Sequence, residues 1–366
     1  MTDLWAEPIT TNLLTGFLGA GKTSLLKRLL GQPGLSDTAV LINEFGEVGI
    51  DHLLVEEVDE DVVLLQSGCV CCTIRGDLKE ALIRLHGRRQ RGEVPPFRRL
   101  VIETTGLADP APIVATLTAD PMLRHHFRMG NIIAVIDAVN GAGNLSAFAE
   151  CRRQVAVADR LVISKIDLAA GDAVVALRSR LATFNPTAEI VETSEEDAAH
   201  ASLVTRDVHN AEARLQEVRR WLAATAGTAE PNHDSRIDRN RHGGDIQTFV
   251  LVRHEPLDWA AFGLWLSMLL NRHGSGILRV KGLLRIAGRD SPIVVQGVQH
   301  LIHRPVHLDR WPDDLVGTRL VMIVRGLDPD LIRGSFDTFM RLAPPEPETM
   351  SEAARSSPRR AAMRRP

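Results

Sequence analysis

The residues with the clearest chemical signature form a short glycine-rich run near the start of the chain. Residues 16–23 read GFLGAGKT, which fits the spacing G-x-x-x-x-G-K-[ST] between a predicted strand and a predicted helix. Glycines at these positions let backbone N–H groups turn inward around phosphate oxygens, and the helix adds the positive end of its dipole. Lys22 is expected to reach the β- and γ-phosphates of a nucleotide, and the Thr23 hydroxyl to bind magnesium. The predicted phosphate-binding residues are Gly16, Gly19, Ala20, Gly21, Lys22, Thr23 and Ser24.

A second motif supplies the acidic partner that a phosphate loop needs. Residues 100–110 read LVIETTGLADP, so Glu103 ends a predicted buried strand and Gly106 follows three positions later. We expect Glu103 to orient the magnesium ion through a water molecule, and the Gly106 N–H to contact the γ-phosphate. The simpler alternative is an acid that merely ends a strand. The phosphate loop upstream favours the functional interpretation.

A third motif, SKID, predicts the base of the nucleotide; it runs from Ser164 to Asp167, directly after a predicted buried strand. The Asp167 carboxylate can accept hydrogen bonds from both N1–H and the 2-amino group of guanine, whereas adenine lacks this pair of donors. Lys165 can lie along the plane of the base. After the next strand, Thr193 and Ser194 fall where a last base-contacting loop is expected. These residues together predict GTP.

Three of the four cysteines lie within four positions, in the run CVCC formed by Cys69, Cys71 and Cys72 around a valine. Three thiolates leave one tetrahedral position for a carboxylate, histidine, water or client ligand, so a zinc site is predicted here. A set of buried, inert cysteines and a redox role are the alternatives. Cys151 is expected to follow a helix (NLSAFAE) and, having no cysteine near it in sequence, to take no part.

The elements that must position these residues follow from the apolar pattern. In the first half of the chain, continuous apolar runs of strand length alternate with helical patterns, which predicts an α/β domain with a mostly parallel sheet. The predicted strands are 9–15, 38–42, 61–65, 100–103, 131–137, 160–164 and 189–192, and the predicted helices are 22–30, 76–85, 171–184 and 212–224.

Composition divides the chain into domains. Residues 225–245 are polar and bear Gly and Pro, which predicts a linker after a P-loop GTPase domain at 1–224. From 246 to 342, several strand-like runs and a helical pattern at 259–270 predict a small α+β C-terminal domain. The last segment, 343–366, is rich in Pro, Ser and Arg and is predicted to be disordered.

Bulk properties narrow the classes of partner and compartment. The net charge is −3, so no basic field argues for nucleic acid. No apolar run approaches the ~18–20 residues of a membrane span. The first residues, MTDLWAEPITTNLL, lack a basic start and carry early acids, unlike a secretory signal. A cytoplasmic protein without a membrane or nucleic-acid partner is therefore expected.

Taken together, these motifs resemble those of the CobW-type GTPases, a family of metal-centre chaperones that includes zinc chaperones, nitrile hydratase activators and cobalamin-synthesis proteins. The resemblance is carried by GFLGAGKT, INEFGEVGID at 42–51, CVCC, ETTGLADP and SKID, with ILRVKG and VQGV in the second domain. It implies GTP hydrolysis, with Mg²⁺ at the phosphates, coupled to delivery of Zn²⁺ to a client metalloprotein. Co²⁺ or Fe²⁺ as the metal, and a homodimer, stay open.

The same resemblance assigns a switch. By analogy, Glu44, Glu47 and Asp51 belong to a segment that rearranges with the γ-phosphate, and Glu44 or Asp51 is the candidate for orienting the attacking water. The predicted catalytic residues are then Lys22, Thr23, Glu44, Asp51 and Glu103. One feature departs from many members of the family, in which the linker is usually histidine-rich. Here residues 225–245 hold only His233 and His242, which argues against a metal-collecting linker.

Two rival functions share the phosphate loop. A regulatory GTP-binding scaffold for cobalt, cobalamin or other metal-cofactor assembly would use the cysteines as a sensor and would donate no metal. Transfer of bound metal to a client distinguishes a chaperone from that scaffold. A small-molecule or nucleotide kinase is disfavoured by the SKID motif, and a screen of phosphate acceptors would test it.

Overall fold

Two sheets organise the chain, one parallel and one antiparallel. The structure, a computed structural model, describes residues 7–43, 64–66, 74–194, 201–206, 214–225, 246–312 and 316–342. It confirms the predicted fold class, an α/β domain followed by a small α+β domain, and every strand pair of the first sheet is parallel. Most of the predicted linker, 226–245, and the predicted tail, 343–366, lie outside the described residues.

The amino-terminal domain alternates strands and helices as the apolar pattern predicts. Its strands are β1 Ile9–Gly16, β2 Thr38–Asn43, β3 Leu64–Gln66, β4 Arg99–Thr104, β5 Phe127–Asp137, β6 Arg160–Ser164 and β7 Glu189–Glu192. Its helices are α1 Lys22–Leu30, α2 Ile74–Gln90, α3 Ala111–Ala119, α4 Pro121–His126, α5 Gly141–Ala147, α6 Ala149–Val157, α7 Gly171–Phe184, α8 Ser202–Thr205 and α9 Arg214–Thr225, with 3₁₀ turns at Pro33–Leu35 and Ile166–Leu168. The bounds of α1, β6, α7 and β7 coincide with the predicted ones.

The strand order is β3-β2-β4-β1-β5-β6-β7, and the central strands are buried on both faces of the sheet. Successive residues of a strand point to opposite faces, so Leu13 lies in the core on one side and Leu14 in the core on the other. Ile102 and Val101 of β4 divide in the same way. This two-sided burial explains why the strands read as continuous apolar runs.

In helices α5 and α6 the structure differs from one prediction of the sequence analysis. The run NLSAFAE does not form one helix before Cys151, because the backbone is extended at Phe148 (φ −114°, ψ 124°) and a new helix starts at Ala149. At this break the ring of Phe148 stacks on the ring of Phe17, with centroids 4.5 Å apart. Cys151 therefore lies inside α6, where burial raises the pKa of its thiol to about 12. Such a thiol is a poor metal ligand.

The carboxyl-terminal domain is an antiparallel sheet with two helices on one face. Its elements are β8 Ile246–Arg253, α10 Trp259–His273, a 3₁₀ turn Gly274–Gly276, β9 Ile277–Leu284, β10 Ile293–Val298, β11 Leu301–Ile302, β12 Val306–His307, β13 Thr318–Arg325 and α11 Pro329–Leu342. The order is β11-β10-β9-β13-β8, with β12 beside β10. Successive residues of each strand again point to opposite faces of the sheet. On one face, Leu320, Met322 and Val324 of β13 pack under α10 and α11. None of the described helices is long and apolar enough to span a membrane.

The other face of this sheet packs against the amino-terminal domain. Ile323, Leu278 and Val298 share one apolar cluster with residues of the first domain. Trp221 and its neighbours on α9 pack on Val321 and other residues of the same sheet. The contacts lie where β5 and β6 begin, at the edge opposite the carboxyl ends of the parallel strands.

A buried ion cluster joins the two domains at this edge. Asp159, just before β6, accepts hydrogen bonds from the Ile132 N–H (3.0 Å), from Lys281 (2.7 Å) and from Arg279. Burial disfavours the Asp159 carboxylate, but the charges of Arg279 and Lys281 outweigh that effect and hold its pKa below the ordinary value. Burial lowers the pKa of Lys281 to about 8, against the opposite pull of Asp159. Asp159 is therefore ionised at neutral pH and faces Lys281 and Arg279.

We expect Asp159→Asn to lower the free energy of unfolding by about 3–5 kcal/mol, because it leaves two buried cations without their carboxylate. The pKa of Asp159 is depressed in the folded state. Its contribution is therefore present above the ordinary carboxyl pKa of about 4 and is lost as the pH falls below that value. The deficit of the variant, measured by urea denaturation, should shrink on acidification. Glu192→Gln, which removes an exposed partner of Arg178 (2.9 Å), is the control and should cost less than about 1 kcal/mol. Equal, small losses for both variants would contradict the assignment.

Candidate functional site

The glycine-rich loop leaves the carboxyl end of β1 and closes directly onto α1. Gly19 (φ 73°) and Gly21 (φ 88°) adopt left-handed backbone conformations, which turn the loop tightly around a central space. The Lys22 ammonium donates to the Gly16 carbonyl (3.0 Å) and to the Phe17 carbonyl (3.3 Å), so it lies across the loop. Ser24, in the first turn of α1, is exposed. The arrangement is that of a phosphate cradle at a helix N-terminus.

Thr23 and Glu103 meet at the mouth of this loop. The Thr23 hydroxyl donates to Oε1 of Glu103 at 2.7 Å, although the two residues are 80 positions apart. Glu103 is only 5% exposed, because β4 lies next to β1 in the sheet. A hydroxyl and a carboxylate beside a phosphate cradle are the oxygen donors that Mg²⁺ takes in such sites. The residues present therefore fit a magnesium ion bound with a nucleotide.

Gly106 lies in close contact with the phosphate loop. A Cβ at this position would fall 2.6 Å from the backbone nitrogen of Leu18 and 2.7 Å from its Cα, so only glycine fits without moving the loop. The segment after β4 is thus held against the segment after β1. A ligand bound in the phosphate cradle would therefore contact both segments.

The SKID residues complete the same edge of the sheet. The Ser164 hydroxyl donates to the Ala20 carbonyl (2.7 Å), and the Lys165 ammonium donates to the Gly19 carbonyl (2.7 Å). Lys165 has a left-handed backbone (φ 56°), and the 3₁₀ turn that follows carries Asp167 on the surface. The structure therefore brings Ser164 and Lys165 against the phosphate loop and leaves the Asp167 carboxylate accessible to a ligand.

Asp137 is a member of the site that the sequence interpretation missed. Its carboxylate accepts from the Lys165 ammonium at 2.9 Å, and also from the backbone N–H groups of Val139 (2.7 Å) and Asn140 (3.2 Å). Burial opposes ionisation, but these hydrogen bonds outweigh it and hold the Asp137 pKa below its ordinary value. The Asp137 carboxylate therefore fixes the position of the Lys165 ammonium. The signal was its position at the end of β5, paired in register with Ser164.

Thr193 and Ser194 follow β7, as the sequence predicts, but they differ in accessibility. Thr193 is 2% exposed, and its hydroxyl donates to the Ser194 carbonyl (3.1 Å). Arg28 of α1 donates to the Thr193 hydroxyl (3.4 Å) and to the Ser194 carbonyl. The Thr193 side chain therefore ties β7 to α1. A contact of Ser194 with the base stays a prediction.

The predicted metal site and switch belong to parts of the chain outside the described residues. Cys69, Cys71 and Cys72 lie outside the described residues. So do the three acids of the predicted switch, Glu44, Glu47 and Asp51. Within the described ranges, no three histidine, cysteine or carboxylate side chains converge to hold a metal ion. The zinc ligands and the water-orienting residue stay predictions.

Comparison with known families accounts for both domains. Residues 10–192 match the family described as CobW/HypB/UreG, nucleotide-binding domain. Residues 246–340 match the cobalamin synthesis protein cobW C-terminal domain. The two matches cover the parallel and the antiparallel sheet respectively.

Individual proteins are similar along most of the chain. Zinc chaperone YjiA of Escherichia coli is 32% identical over 331 residues, which is 90% of this chain and 98% of that protein. Zinc chaperone CobW of Pseudomonas aeruginosa is 32% identical, with 93% of each protein covered. The crystal structure of Zn(II)-bound YjiA GTPase from E. coli superposes with a TM-score of 0.66 and 28% identity, covering 91% of this chain and 99% of that one. A Zn(II)-bound triple mutant of YjiA, with one glutamate and two consecutive cysteines changed to alanine, has a TM-score of 0.65. The chain therefore belongs to the CobW/HypB/UreG family of nucleotide-binding proteins and carries the cobW C-terminal domain after it.

Proposed function

We propose that the chain is a GTP-hydrolysing metallochaperone that binds zinc at Cys69, Cys71 and Cys72 and transfers it to a client protein. The observation that carries the proposal is the convergence of Lys22, the Thr23–Glu103 pair and the SKID turn on one edge of the parallel sheet. Relatives named zinc chaperone, and one crystal structure named a Zn(II)-bound GTPase, support the metal and the nucleotide.

The phosphate side of the site has separate roles for its residues. Lys22, now held by loop carbonyls, would exchange them for β- and γ-phosphate oxygens, since a charged acceptor makes the stronger hydrogen bond. Thr23 and Glu103 would hold Mg²⁺, which when bound neutralises charge on the phosphates. The Gly106 N–H would bind the γ-phosphate and so distinguish GTP from GDP.

The base side of the site favours guanine. Asp167 presents an exposed carboxylate, an acceptor only, which suits the two adjacent donors of guanine. Lys165 is held between Gly19 and Asp137, so its aliphatic stem forms a fixed wall beside the loop. Because the Lys165 side chain is already fixed, it need not be ordered when a base binds, which reduces the entropic cost of binding.

The metal side of the proposal depends on the chemistry of the cysteine run and on the named relatives. Three thiolates suit Zn²⁺ and leave one coordination position for a client ligand. Metal could therefore leave by ligand exchange. Hydrolysis would alter the predicted switch at Glu44 to Asp51, which is expected near the γ-phosphate, and the cysteine run would respond with it.

Changing Asp167→Asn should weaken binding of GTP roughly 10–150-fold, the cost of a charge-assisted hydrogen bond, and improve binding of xanthine nucleotides. The reason is that asparagine presents a donor where guanine also presents donors. Fluorescence titration with GTP, ATP and XTP measures the change. The matched control is Asp172→Asn, an exposed aspartate in the first turn of α7. Equal affinity of the unmodified protein for ATP and GTP would refute the assignment of the base.

Changing Lys22→Ala should lower the turnover number for GTP by about 10²–10³-fold, the usual effect of removing one donor that stabilises transition-state charge. Its bonds run to carbonyls of the same loop, so the unfolding temperature should change little. Phosphate release is the measurement. Lys79→Ala, which removes a lysine paired with Asp120 (2.6 Å), is the control and should hydrolyse GTP normally. An unchanged turnover number for Lys22→Ala would exclude its proposed role.

The double change Cys71→Ser, Cys72→Ser should remove one bound Zn²⁺ per chain and leave GTP affinity within a few-fold. Competition with a chromophoric chelator, run in GDP and in a GTP analogue, gives stoichiometry and affinity in both states. Affinity should fall as the pH drops, because protons compete for the sulfurs. Cys151→Ala is the control, since that thiol is 3% exposed inside α6 and should hold no zinc.

Two outcomes of the zinc titration would contradict the proposal. A triple mutant of YjiA with two consecutive cysteines replaced is zinc-bound, so the number of sites must be counted as well as occupancy. Full zinc content in the double variant would locate the site on other residues. Identical zinc affinity in both nucleotide states would remove the coupling and favour the scaffold alternative. By linkage, any factor by which GTP changes zinc affinity must equal the factor by which zinc changes GTP affinity.

A further inference from the structure

Helix α6 carries one polar side chain in an otherwise apolar interior. Gln154 is 1% exposed, and its Nε2 donates to the Gly106 carbonyl (3.0 Å) and to the Ala108 carbonyl (3.1 Å). Two carbonyl acceptors fix the orientation of the amide, because the reversed assignment would set oxygen against oxygen. Both N–H donors of the Gln154 side chain are therefore used in hydrogen bonds to the segment that follows β4.

The oxygen of the same side-chain amide differs from its nitrogen in hydrogen bonding. Gln154 Oε1 is buried and meets no donor among the described residues. A buried acceptor without a donor is unfavourable, and a methionine or leucine would fill the space without that penalty. A requirement for packing alone therefore does not explain glutamine here. The requirement that does explain it is for two N–H donors aimed at the carbonyls of Gly106 and Ala108.

The segment held by Gln154 lies against the phosphate loop. Gly106 packs so closely on Leu18 that no Cβ fits between them. The start of α6 touches the loop as well, through the stacking of Phe148 on Phe17. Helix α6 is thus in contact with the nucleotide edge of the sheet at its first turn and at Gln154.

The other end of α6 contacts the carboxyl-terminal domain. Ala156 and Val157 lie in the apolar cluster that contains Leu278 of β9. Two residues beyond the helix, Asp159 bonds to Lys281 of the same strand at 2.7 Å. A nine-residue helix, about 13 Å long, therefore joins the segment after β4 to β9.

We infer that Gln154 is a positioning residue that fixes the Gly106–Ala108 segment for the γ-phosphate, and that α6 passes the position of this segment to β9 of the carboxyl-terminal domain. The inference rests on the proposed function, in which the Gly106 N–H binds the γ-phosphate. The segment, the helix and the strand then form one element whose position GTP and GDP bias differently.

The test compares Gln154→Met, which keeps the shape and removes both donors, with Val155→Ala as the control. Val155 is on the same helix but packs in a cluster that contains none of residues 106–108, so its truncation destabilises α6 without removing a hydrogen bond to that segment. Calorimetry gives the Kd of a GTP analogue and of GDP for each full-length variant. Gln154→Met should weaken the analogue roughly tenfold, as expected for two neutral hydrogen bonds, and leave GDP within about twofold.

Hydrogen exchange supplies the second readout. In the unmodified protein, protection at 106–108 and at 277–284 should both differ between the analogue and GDP, and Gln154→Met should abolish the difference at 277–284. Equal weakening of both nucleotides, or the same pattern in Val155→Ala, would overturn the inference. So would a strand at 277–284 that is insensitive to nucleotide in the unmodified protein, a result available even if the variant fails to fold.

Failure of the proposed function has a different signature in the same experiments. An unmodified protein that neither hydrolyses GTP nor distinguishes the analogue from GDP would refute the proposed role of Gly106. An unmodified protein that distinguishes them, together with a Gln154→Met variant that does so equally well, would refute the inference alone.

Discussion

The seven described strands of the amino-terminal sheet all run in one direction, and this constraint decides where chemistry can occur. Parallel strands share their carboxyl ends, so the loops after β1, β4 and β6 meet at one edge. Thr23 and Glu103 come into contact from 80 positions apart, and Lys165 reaches Gly19 from 146 positions away. Strand β1 lies between β4 and β5, so the glycine-rich loop emerges at the centre of that edge with acidic or basic groups on both sides.

The same constraint leaves the opposite edge available for the second domain. Apolar contacts there supply most of the favourable free energy, as in a domain core, but they do not specify one orientation. The buried ion cluster of Asp159, Arg279 and Lys281 does specify one orientation. A docking arrangement that kept the apolar contacts and shifted β9 by two residues would leave Arg279 or Lys281 buried without Asp159. An unpaired buried charge is costly enough to exclude such alternatives, so these pairs fix the orientation even if their net contribution to stability is small.

The sequence predicts what local pattern and motif spacing encode. Strands β6 and β7 and helices α1 and α7 are predicted to the residue, and the phosphate loop, Glu103 and SKID fall at one edge as parallel strands require. Helix α3 (APIVATLTA) is missed because it is buried on nearly every side and shows no polar face. The break at Phe148 lies where its ring stacks on Phe17, 131 positions away, and the sequence alone does not show that Gln154 is buried beside the Gly106 carbonyl. Such contacts depend on tertiary packing, which a single sequence does not reveal.

Communication between the two edges of the sheet requires an element that contacts both of them. The nucleotide edge and the domain interface lie at opposite ends of the strands, and strands held in a parallel sheet do not slide independently of one another. A signal between the edges must therefore travel along an element packed on the face of the sheet. Helix α6 is such an element, because its start stacks on the phosphate loop and its end joins the apolar cluster shared with β9. The extended backbone at Phe148 ends α5 and makes α6 a separate helix. Arg152 of α6 donates to the Leu145 (3.1 Å) and Ser146 (2.9 Å) carbonyls of α5, so side-chain hydrogen bonds link the two helices across this break. On the inference drawn above, nucleotide binding at the phosphate loop would therefore reach the second domain along α6, from Phe148 beside Phe17 to the cluster that contains Leu278.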